Sequence, residues 1–212
     1  MSEINCKNCD KIEGDTRKKV RARRAAADVA RCALFVALMV VSAFISIPVQ
    51  PVPFTFQTVV AVLAGLLLGP KRGGAAVAIY VFMGLLGLPV FTKGGGFAYV
   101  YQLTFGYVVG FAAAAFAAGL ARGKGKLTLP RAVAGSLVGF LVNYAIGIPY
   151  FALIWKYYMH LGGLWKALVS YNFLYMPKDI VLCVLASVIA VKVAAALKKE
   201  GIQLGGEKSF RQ

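Results

Sequence analysis

Acidic side chains are scarce in this sequence of 212 residues. Aspartate and glutamate together number 8, against 24 lysines and arginines. Between Asp28 and Glu200 the sequence contains a single acid, Asp179. The only histidine is His160, so the sequence offers no Ser-His-Asp set and no cluster of metal ligands. These shortages argue against an enzyme and against a resident metal or other cofactor.

Two further motifs are incomplete. The segment "GPKRGG" (69–74) lacks the GxxxxGK[ST] pattern of a phosphate-binding loop, which excludes ATP hydrolysis by that route. Cys6 and Cys9 form a lone CxxC, which is a weak zinc or redox signal without a second pair. Cys32 and Cys183 fall in apolar runs, where cysteine behaves as a small core residue.

Long apolar runs dominate what is present. Hydrophobic residues make up 59% of the chain and charged residues 15%, whereas a soluble domain is about a quarter charged. Runs of a length that suits a bilayer predict an all-α bundle of six transmembrane helices. The predicted spans cover residues 26–47, 54–70, 73–91, 100–121, 131–155 and 176–198. The second is short for a full crossing, and a tilted or partly interfacial helix is expected there.

The predicted membrane domain, residues 26–198, is flanked by two tails. A polar, basic N-terminal tail (1–25) is expected to be mobile and to follow the membrane surface. A C-terminal tail (199–212) completes the chain. Together the spans and tails predict a single compact membrane domain without a cleaved signal peptide.

The basic residues predict the orientation of the helices. A net charge of +16 in a soluble protein would suggest nucleic acid, but here the basic residues stand at the ends of apolar runs, as topology signals do. A cytoplasmic N-terminus places 20 of the 24 lysines and arginines inside and leaves four outside: Lys93, Lys156, Lys166 and Lys178. Both termini are therefore predicted to be cytoplasmic. Anionic lipid, and not nucleic acid, is the expected electrostatic partner.

Small residues recur at helical spacing in several spans. Such faces allow close approach of helix backbones in lipid and are expected to turn toward protein. Two stripes step by four residues, one in the fifth span and one in the sixth: Gly135, Gly139, Asn143 and Gly147; Asp179, Cys183 and Ser187. A third stripe lies in the first span: Ala26, Ala30, Ala33 and Ala37. Its two interpretations are packing within the bundle and a docking face for another membrane subunit.

The outer loops are the expected place for a binding site, because they are rich in proline, glycine and aromatic residues. Asp179 follows Pro177 at a helix start, where the helix dipole favours an anion. An ionised group in the membrane is costly, so this acid is either a helix cap or a hydrogen-bond acceptor that faces a cavity. Asn143 offers a donor and an acceptor, for a neighbouring helix or for a ligand.

Other candidates lie in the loop after the third span. Lys93, in "TKGGG", is either a solvated charge or a cation for a ligand anion, since the glycines permit close approach of the backbone. Phe91 and Tyr107 belong to a group of outer aromatic residues. That group fits either an interfacial aromatic belt or a cover over a pocket.

Several motifs resemble the BioY family, the biotin-specific substrate-binding components of energy-coupling factor (ECF) transporters. The resemblance covers about residues 26–198. It is carried by "PVPFTFQTVVAVLAGLLLGPKRGG" (51–74), "YVFMGLLGLPVF" (80–91), "KGGG" (93–96), "TFGYVVGF" (104–111), "NY" (143–144) and "MPKD" (176–179). The chain departs from the family where Gln102-Leu103 replaces a common Gly-Pro. It also has Leu182 where the family commonly has a lysine, and Lys178 lies one helical turn earlier on the same face.

The resemblance implies a binding subunit in the plasma membrane of a prokaryote, with biotin near the outer surface beneath the loops after the first and third spans. It implies three protein partners: a transmembrane coupling subunit and two cytoplasmic ATPases, with Ala30, Ala33 and Ala37 as the docking face. The candidate substrate-binding residues are Asp179, Asn143, Lys178, Lys93, Gln57, Tyr107, Phe91 and Tyr144. The alternatives are a component for another vitamin, of the thiamine or riboflavin type, and a membrane scaffold without a transport role.

Overall fold

Helices make up nearly all of the regular structure. The computed structural model describes residues 3–47, 53–123, 125–160, 162–173 and 175–199. The α-helices of this described part are α1 (Glu3–Phe44), α2 (Gln57–Leu68), α3 (Pro70–Leu85), α4 (Phe105–Ala121), α5 (Leu129–Leu153), α6 (Leu164–Leu168) and α7 (Met176–Lys199). A 3₁₀-helix (Phe97–Tyr101) precedes α4, and π-helical turns (Ile154–Tyr158 and Val169–Phe173) follow α5 and α6. Two strands of two residues each, β1 (Ser46–Ile47) and β2 (Phe54–Thr55), pair antiparallel in a short hairpin.

The all-helical prediction is therefore confirmed for the described residues, apart from this hairpin. Three helical stretches are long and apolar enough to cross a membrane: Asp15–Phe44, Leu129–Tyr158 and Leu164–Lys199. Two shorter apolar helices are α2 and α4. The chain is thus a multi-pass membrane protein. With 12 residues, α2 is only about 18 Å long, less than the ~30 Å of a hydrocarbon core.

The N-terminal part differs from the prediction. A mobile tail was expected before residue 26, but α1 begins at Glu3 and runs without interruption into the apolar region. No proline precedes Pro48 and only Gly14 is a glycine, so nothing in the sequence breaks the helix. An ion pair of 2.8 Å between Lys19 and Asp15, one turn apart, lies on its polar part. The side chains of Cys6 and Cys9, residues 48–52 of the first outer loop and residues 200–212 of the C-terminal tail lie outside the description.

A glycine and a proline separate α2 from α3. Gly69 has φ 83°, a left-handed value that glycine adopts at little cost. Pro70 then opens α3, where its missing N–H leaves no helical bond unmade. The chain consequently reverses within one residue, and α3 packs directly on α2.

The fifth-span stripe packs on α4. A Cβ at Gly139 would lie 3.0 Å from the carbonyl oxygen of Ala114, and one at Gly135 would lie 2.9 Å from that of Ala118. Any larger residue would separate the two helices. The prediction that this stripe faces protein is confirmed.

The sixth-span stripe packs on α5. Cys183 and Ser187 are buried, and the hydroxyl of Ser187 lies 2.6 Å from that of Ser136 on α5. Each hydroxyl also lies within hydrogen-bond distance of a carbonyl one turn earlier in its own helix, 2.8 Å for Ser187 and 2.9 Å for Ser136. One serine donates to its own carbonyl and the other donates across to it, because each hydroxyl has a single proton. All polar atoms of this contact are thus paired within the apolar interior, and the prediction for this stripe is also confirmed.

The first helix has two unlike faces. Phe35 and Met39 are buried against the bundle, whereas the alanine stripe of the same helix is exposed at Ala30, Ala33 and Ala37. At the cytoplasmic end of the predicted topology, Arg72 of α3 forms an ion pair of 2.6 Å with Asp28 of α1. These three alanines therefore do not pack within the bundle.

Adjacent glycines in α3 provide a test of the α2–α3 contact. A Cβ at Gly73 would lie 2.6 Å from the carbonyl oxygen of Ala64, a backbone atom that cannot give way. We expect Gly73→Ala to destabilise the detergent-purified protein by about 1–3 kcal/mol, as overpacking does. Gly74→Ala is the matched control, because its Cβ would meet the Phe116 side chain at 3.3 Å. Thermal unfolding followed by circular dichroism gives both values, and equal losses would contradict the proposed contact.

Candidate functional site

A cavity lies where the predicted outer ends of the helices meet. Its walls come from the starts of α2, α4 and α7, from α3 and α5, and from the loop after α3. The empty space inside it, counted out to the open solvent at its mouth, is about 640 Å³. The lining residues are Pro53, Thr55, Gln57, Thr58, Tyr80, Phe91, Thr92, Tyr99, Thr104, Tyr107, Val108, Phe111, Asn143, Tyr144, Tyr171, Tyr175, Lys178 and Asp179.

A charged group occupies the α7 side of this cavity. The Lys178 ammonium lies 2.7 Å from Oδ1 of Asp179, and the side chains are 20% and 7% exposed. The Tyr144 hydroxyl donates to the other oxygen, Oδ2, at 2.6 Å. Apart from this cationic neighbour, Oδ1 has no hydrogen-bond partner in the described structure. It can therefore accept a hydrogen bond from a ligand.

This arrangement decides between the two interpretations of Asp179. Among the described residues, Tyr144 and Lys178 are the partners of the carboxylate, and no backbone amide donates to it. Asp179 stands in the first turn of α7, where the helix dipole favours its charge. Its side chain nevertheless turns into the cavity and does not cap the helix.

Asn143 brings an unpartnered acceptor to the α5 wall. The residue is 1% exposed, and its Oδ1 has no hydrogen-bond partner in the described structure. Gly110 of α4 faces this oxygen so closely that a Cβ there would overlap it. The predicted interhelical hydrogen bond of Asn143 is thus not formed through Oδ1. A buried acceptor without a donor costs about 1–3 kcal/mol, and α4 at Gly110 occupies the side that this oxygen faces.

Neutral hydroxyl and amide groups line the side formed by α2 and α3. Gln57 donates to the Tyr80 hydroxyl at 2.6 Å, and Tyr80 donates to the carbonyl of Val90 at 3.1 Å. On the neighbouring wall the Tyr99 hydroxyl lies 3.0 Å from that of Thr92 and 3.5 Å from that of Thr104. These networks hold the loop after α3 against the helices.

Aromatic rings provide the apolar surface. Phe91 meets Tyr80 edge to face at 5.5 Å and Tyr99 at 4.5 Å. Tyr107 and Tyr144 meet edge to face at 5.6 Å. Offset and edge-to-face pairs of this kind are favourable beyond their buried area. They form stiff walls for an apolar ligand body between the polar groups at either end.

The structure brings together seven of the eight predicted residues. Asp179, Asn143, Lys178, Gln57, Tyr107, Phe91 and Tyr144 all line the cavity, whereas Lys93 is exposed and lies outside the lining. Lys93 lies in the turn closed by the Phe91–Gly94 backbone pair. Lys178 is consequently the one cation among the described lining residues.

Sequence reasoning missed several lining residues. Tyr80 and Tyr99 were not chosen, although a tyrosine inside an apolar span needs a partner for its hydroxyl, and that signal was available for Tyr80. Tyr171 and Tyr175 come from the connection between α5 and α7, which carries no motif. In the described residues no group of three or more His, Cys, Asp or Glu side chains could hold a metal. The arrangement is suited to binding a small molecule with polar ends and an apolar body.

Comparisons with known proteins give a consistent result. The statistical model of the BioY family matches residues 15–199. The chain is 40% identical to the "Probable biotin transporter BioY" of Pyrococcus horikoshii over 169 residues, which is 79% of this chain and 96% of that protein. It is 37% identical to the "Biotin transporter BioY" of Thermotoga maritima over 165 residues, 77% of this chain and 93% of the relative.

A further relative and a solved structure agree with these matches. The "Probable biotin transporter BioY" of Lysinibacillus sphaericus is 41% identical over 135 residues, 63% of this chain and 69% of that protein. The crystal structure of the S-component for biotin from an ECF-type ABC transporter matches with a TM-score of 0.68 and 23% identity, covering 82% of this chain and 93% of that one. At this identity the structural match shows a shared fold.

The ion pair at the cavity gives a test that needs no ligand. Lys178→Met should destabilise the empty protein by about 2–4 kcal/mol, because it leaves the Asp179 carboxylate buried without its cation. The double variant Lys178→Met/Asp179→Asn should regain most of this loss, since no charge then remains. Thermal unfolding in detergent measures both. Lys166→Met, at an exposed lysine of α6, is the control, and a double variant as unstable as the single one would contradict the pairing.

Proposed function

The chain belongs to the BioY family, and from this premise we propose that it is the biotin-binding subunit of a biotin uptake system. In this proposal a separate module, made of a transmembrane coupling subunit and two cytoplasmic ATPases, supplies the energy. The observation that carries the proposal is the cavity beside α7, where an incompletely satisfied carboxylate and amide face aromatic walls. The names of the relatives support biotin as the substrate.

The chemistry of biotin fits these groups. Its ureido ring has two N–H donors and one carbonyl acceptor, its thiophane ring is apolar, and its valerate ends in a carboxylate. We assign the ureido N–H groups to Asp179, one oxygen of which lacks a hydrogen-bond donor, and the ureido carbonyl to the side-chain amide N–H of Asn143, which lines the cavity. The rings then lie against Phe91, Tyr107 and Tyr144. Gln57 supports this wall through Tyr80.

The carboxylate is assigned to Lys178. No other cation belongs to the described lining, and Lys93 is exposed outside it. In the empty protein the Lys178 ammonium compensates the charge of Asp179. With ligand bound, the same ammonium can contact both Asp179 and the ligand carboxylate. A cationic vitamin of the thiamine type is less suited, because the single acid of the site is already paired with this lysine.

The proposed topology has six membrane-crossing helices, α1–α5 and α7, with both termini cytoplasmic. Twenty of 24 basic residues on the inner side support it. Residues 26–198 form the membrane domain between the tails, 1–25 and 199–212. This orientation opens the cavity toward the outside of a prokaryotic plasma membrane, as uptake requires.

The exposed alanine stripe of α1 is the proposed docking face for the coupling subunit. Ala30, Ala33 and Ala37 are exposed, whereas the opposite face of α1 is buried in the bundle. Small residues let a second helix approach closely in lipid. The stripe runs from the cytoplasmic half of α1 toward the centre of the membrane, within reach of a membrane-embedded partner.

Equilibrium binding of radiolabelled biotin to detergent-purified protein tests the ligand and its contacts. Asp179→Asn should weaken binding by about 2 kcal/mol, roughly thirtyfold in Kd, because the variant loses a charge-assisted acceptor in a dry site. Lys166→Met, on the exposed surface, should bind as the wild type does. Folded wild-type protein that binds no biotin would refute the proposed function, and equal binding by Asp179→Asn would remove Asp179 from the site.

The same binding assay tests separately whether Lys178 binds the carboxylate of biotin. Biotinamide keeps the rings of biotin and lacks its negative charge. Lys178→Met should therefore weaken biotin more than biotinamide, by about tenfold or more for a charged hydrogen bond. Equal losses for the two compounds would mean that Lys178 acts on binding only through Asp179.

Replacing alanines of the stripe with larger residues tests the proposed docking face. Ala33→Leu/Ala37→Leu should reduce co-purification with a co-expressed coupling subunit and ATPases by about tenfold or more, because the helices can no longer approach closely. Biotin binding by the isolated variant should persist. Leu38→Phe adds bulk to an exposed part of the same helix away from the stripe and is the matched control. Undiminished co-purification of the alanine variant would place the interface elsewhere.

A further inference from the structure

Asn172 does not line the cavity, but its side chain and its neighbours in the chain both contact or belong to the lining. It belongs to the π-helical turn Val169–Phe173 and is 1% exposed. Its Oδ1 accepts a hydrogen bond from the hydroxyl of Tyr107 on α4. Single π-helical turns occur preferentially at functional sites. A buried asparagine in such a turn, bonded to a cavity residue, therefore requires an explanation beyond packing.

The residues on either side of Asn172 face the cavity. Tyr171 and Tyr175 both belong to its lining. The backbone N–H of Tyr175 donates to the carbonyl of Asn172 at 3.2 Å. We call α6, the π-helical turn and Tyr175 the outer segment. The position of Asn172 sets the positions of both tyrosines of this segment relative to the cavity.

Apolar contacts provide most of the remaining attachment of the outer segment. Ala167 joins a small buried cluster with Leu103, Phe151 and Ile154. The Tyr171 ring lies 6.2 Å from that of Trp155. Such contacts are not directional. For residues 164–173 the structure describes one side-chain hydrogen bond to the rest of the chain, that between Asn172 and Tyr107.

The Tyr107 end of this bond is rigid. The Tyr107 ring lies against Gly147 of α5 so closely that a Cβ there would overlap it. Its other neighbour is the ring of Tyr144, at 5.6 Å. The Tyr107 hydroxyl is thus a fixed donor on the helix bundle, and the outer segment is the part that can move relative to it.

We propose that Asn172 is a positioning residue that holds the outer segment closed over the cavity through the hydroxyl of Tyr107. This inference rests on the proposed function, since it assigns the bond a role in retaining the bound ligand. Loss of the acceptor releases Tyr171 from its place and opens a path between cavity and outer surface. The dissociation rate of biotin rises as a result, more than the association rate does.

The tryptophans of the chain provide a probe of the outer segment. The sequence has two, Trp155 and Trp165. Trp165 is 72% exposed, so Trp165→Phe leaves Trp155 as the single emitter beside Tyr171. Four proteins are compared in this background: the parent, Asn172→Leu, Tyr107→Phe and the double variant. Ser170→Ala, an exposed position of the same turn, is the matched control.

Two readouts are taken for each protein: Trp155 emission without ligand, and the rate at which bound radiolabelled biotin is chased by unlabelled biotin. Asn172→Leu is expected to shift the emission to the red and to raise the dissociation rate by about tenfold, as expected for one lost buried hydrogen bond. The double variant should match the single variants in emission, because each one already breaks the bond.

The outcomes separate this inference from the proposed function. Unshifted emission in Asn172→Leu, or strictly additive effects in the double variant, would overturn the role of Asn172. If the parent binds no biotin, the proposed function fails, and ligand-free emission still decides whether the bond holds the segment. If Asn172→Leu does not fold, Asn172→Ala takes its place in the same comparison.

Discussion

A carboxylate placed among apolar helices must have its charge compensated where it lies. Asp179 meets this constraint with the ammonium of Lys178 at 2.7 Å and the hydroxyl of Tyr144 at 2.6 Å. Because Tyr144 belongs to α5, the start of α7 can adopt its place only when α5 presents that hydroxyl at the same depth. The compensation is incomplete, since one oxygen of Asp179 lacks a hydrogen-bond donor. The interaction that joins α5 to α7 therefore also leaves an acceptor for a ligand.

Close packing of α4 on α5 gives the other walls of the cavity their positions. Glycines on both helices bring the backbones together, and near the cavity the side chains that face these glycines are polar or aromatic. Asn143 faces Gly110, and Tyr107 faces Gly147. A bulkier residue at either glycine would displace a group that lines the cavity. Helix packing and ligand binding thus depend on the same pairs of residues. Most substitutions that alter the packing at these pairs would therefore also alter binding.

The sequence was sufficient to predict the all-helical membrane character of the chain and the charged and amide side chains of the cavity. Apolar run lengths located the helices, and the scarcity of acids singled out Asp179. The helix over residues 3–25 was not predicted, because a polar segment without proline can remain helical when an apolar helix follows it. Lys93 was expected near the ligand from its glycine-rich setting, but the turn direction that excludes it depends on tertiary contacts. Asn172 could not be found from sequence, since its partner Tyr107 lies 65 residues away.

The length of α1 has a mechanical consequence. Its 42 residues give a contour of about 63 Å, roughly twice the ~30 Å of a hydrocarbon core. In the proposed orientation the surplus extends on the cytoplasmic side as an unbroken rod. A force applied to this cytoplasmic extension is transmitted along the helix to the membrane. There the ion pair between Asp28 and Arg72 holds α1 against α3. A partner that grips the rod could thereby change the tilt of the whole bundle without touching it inside the membrane.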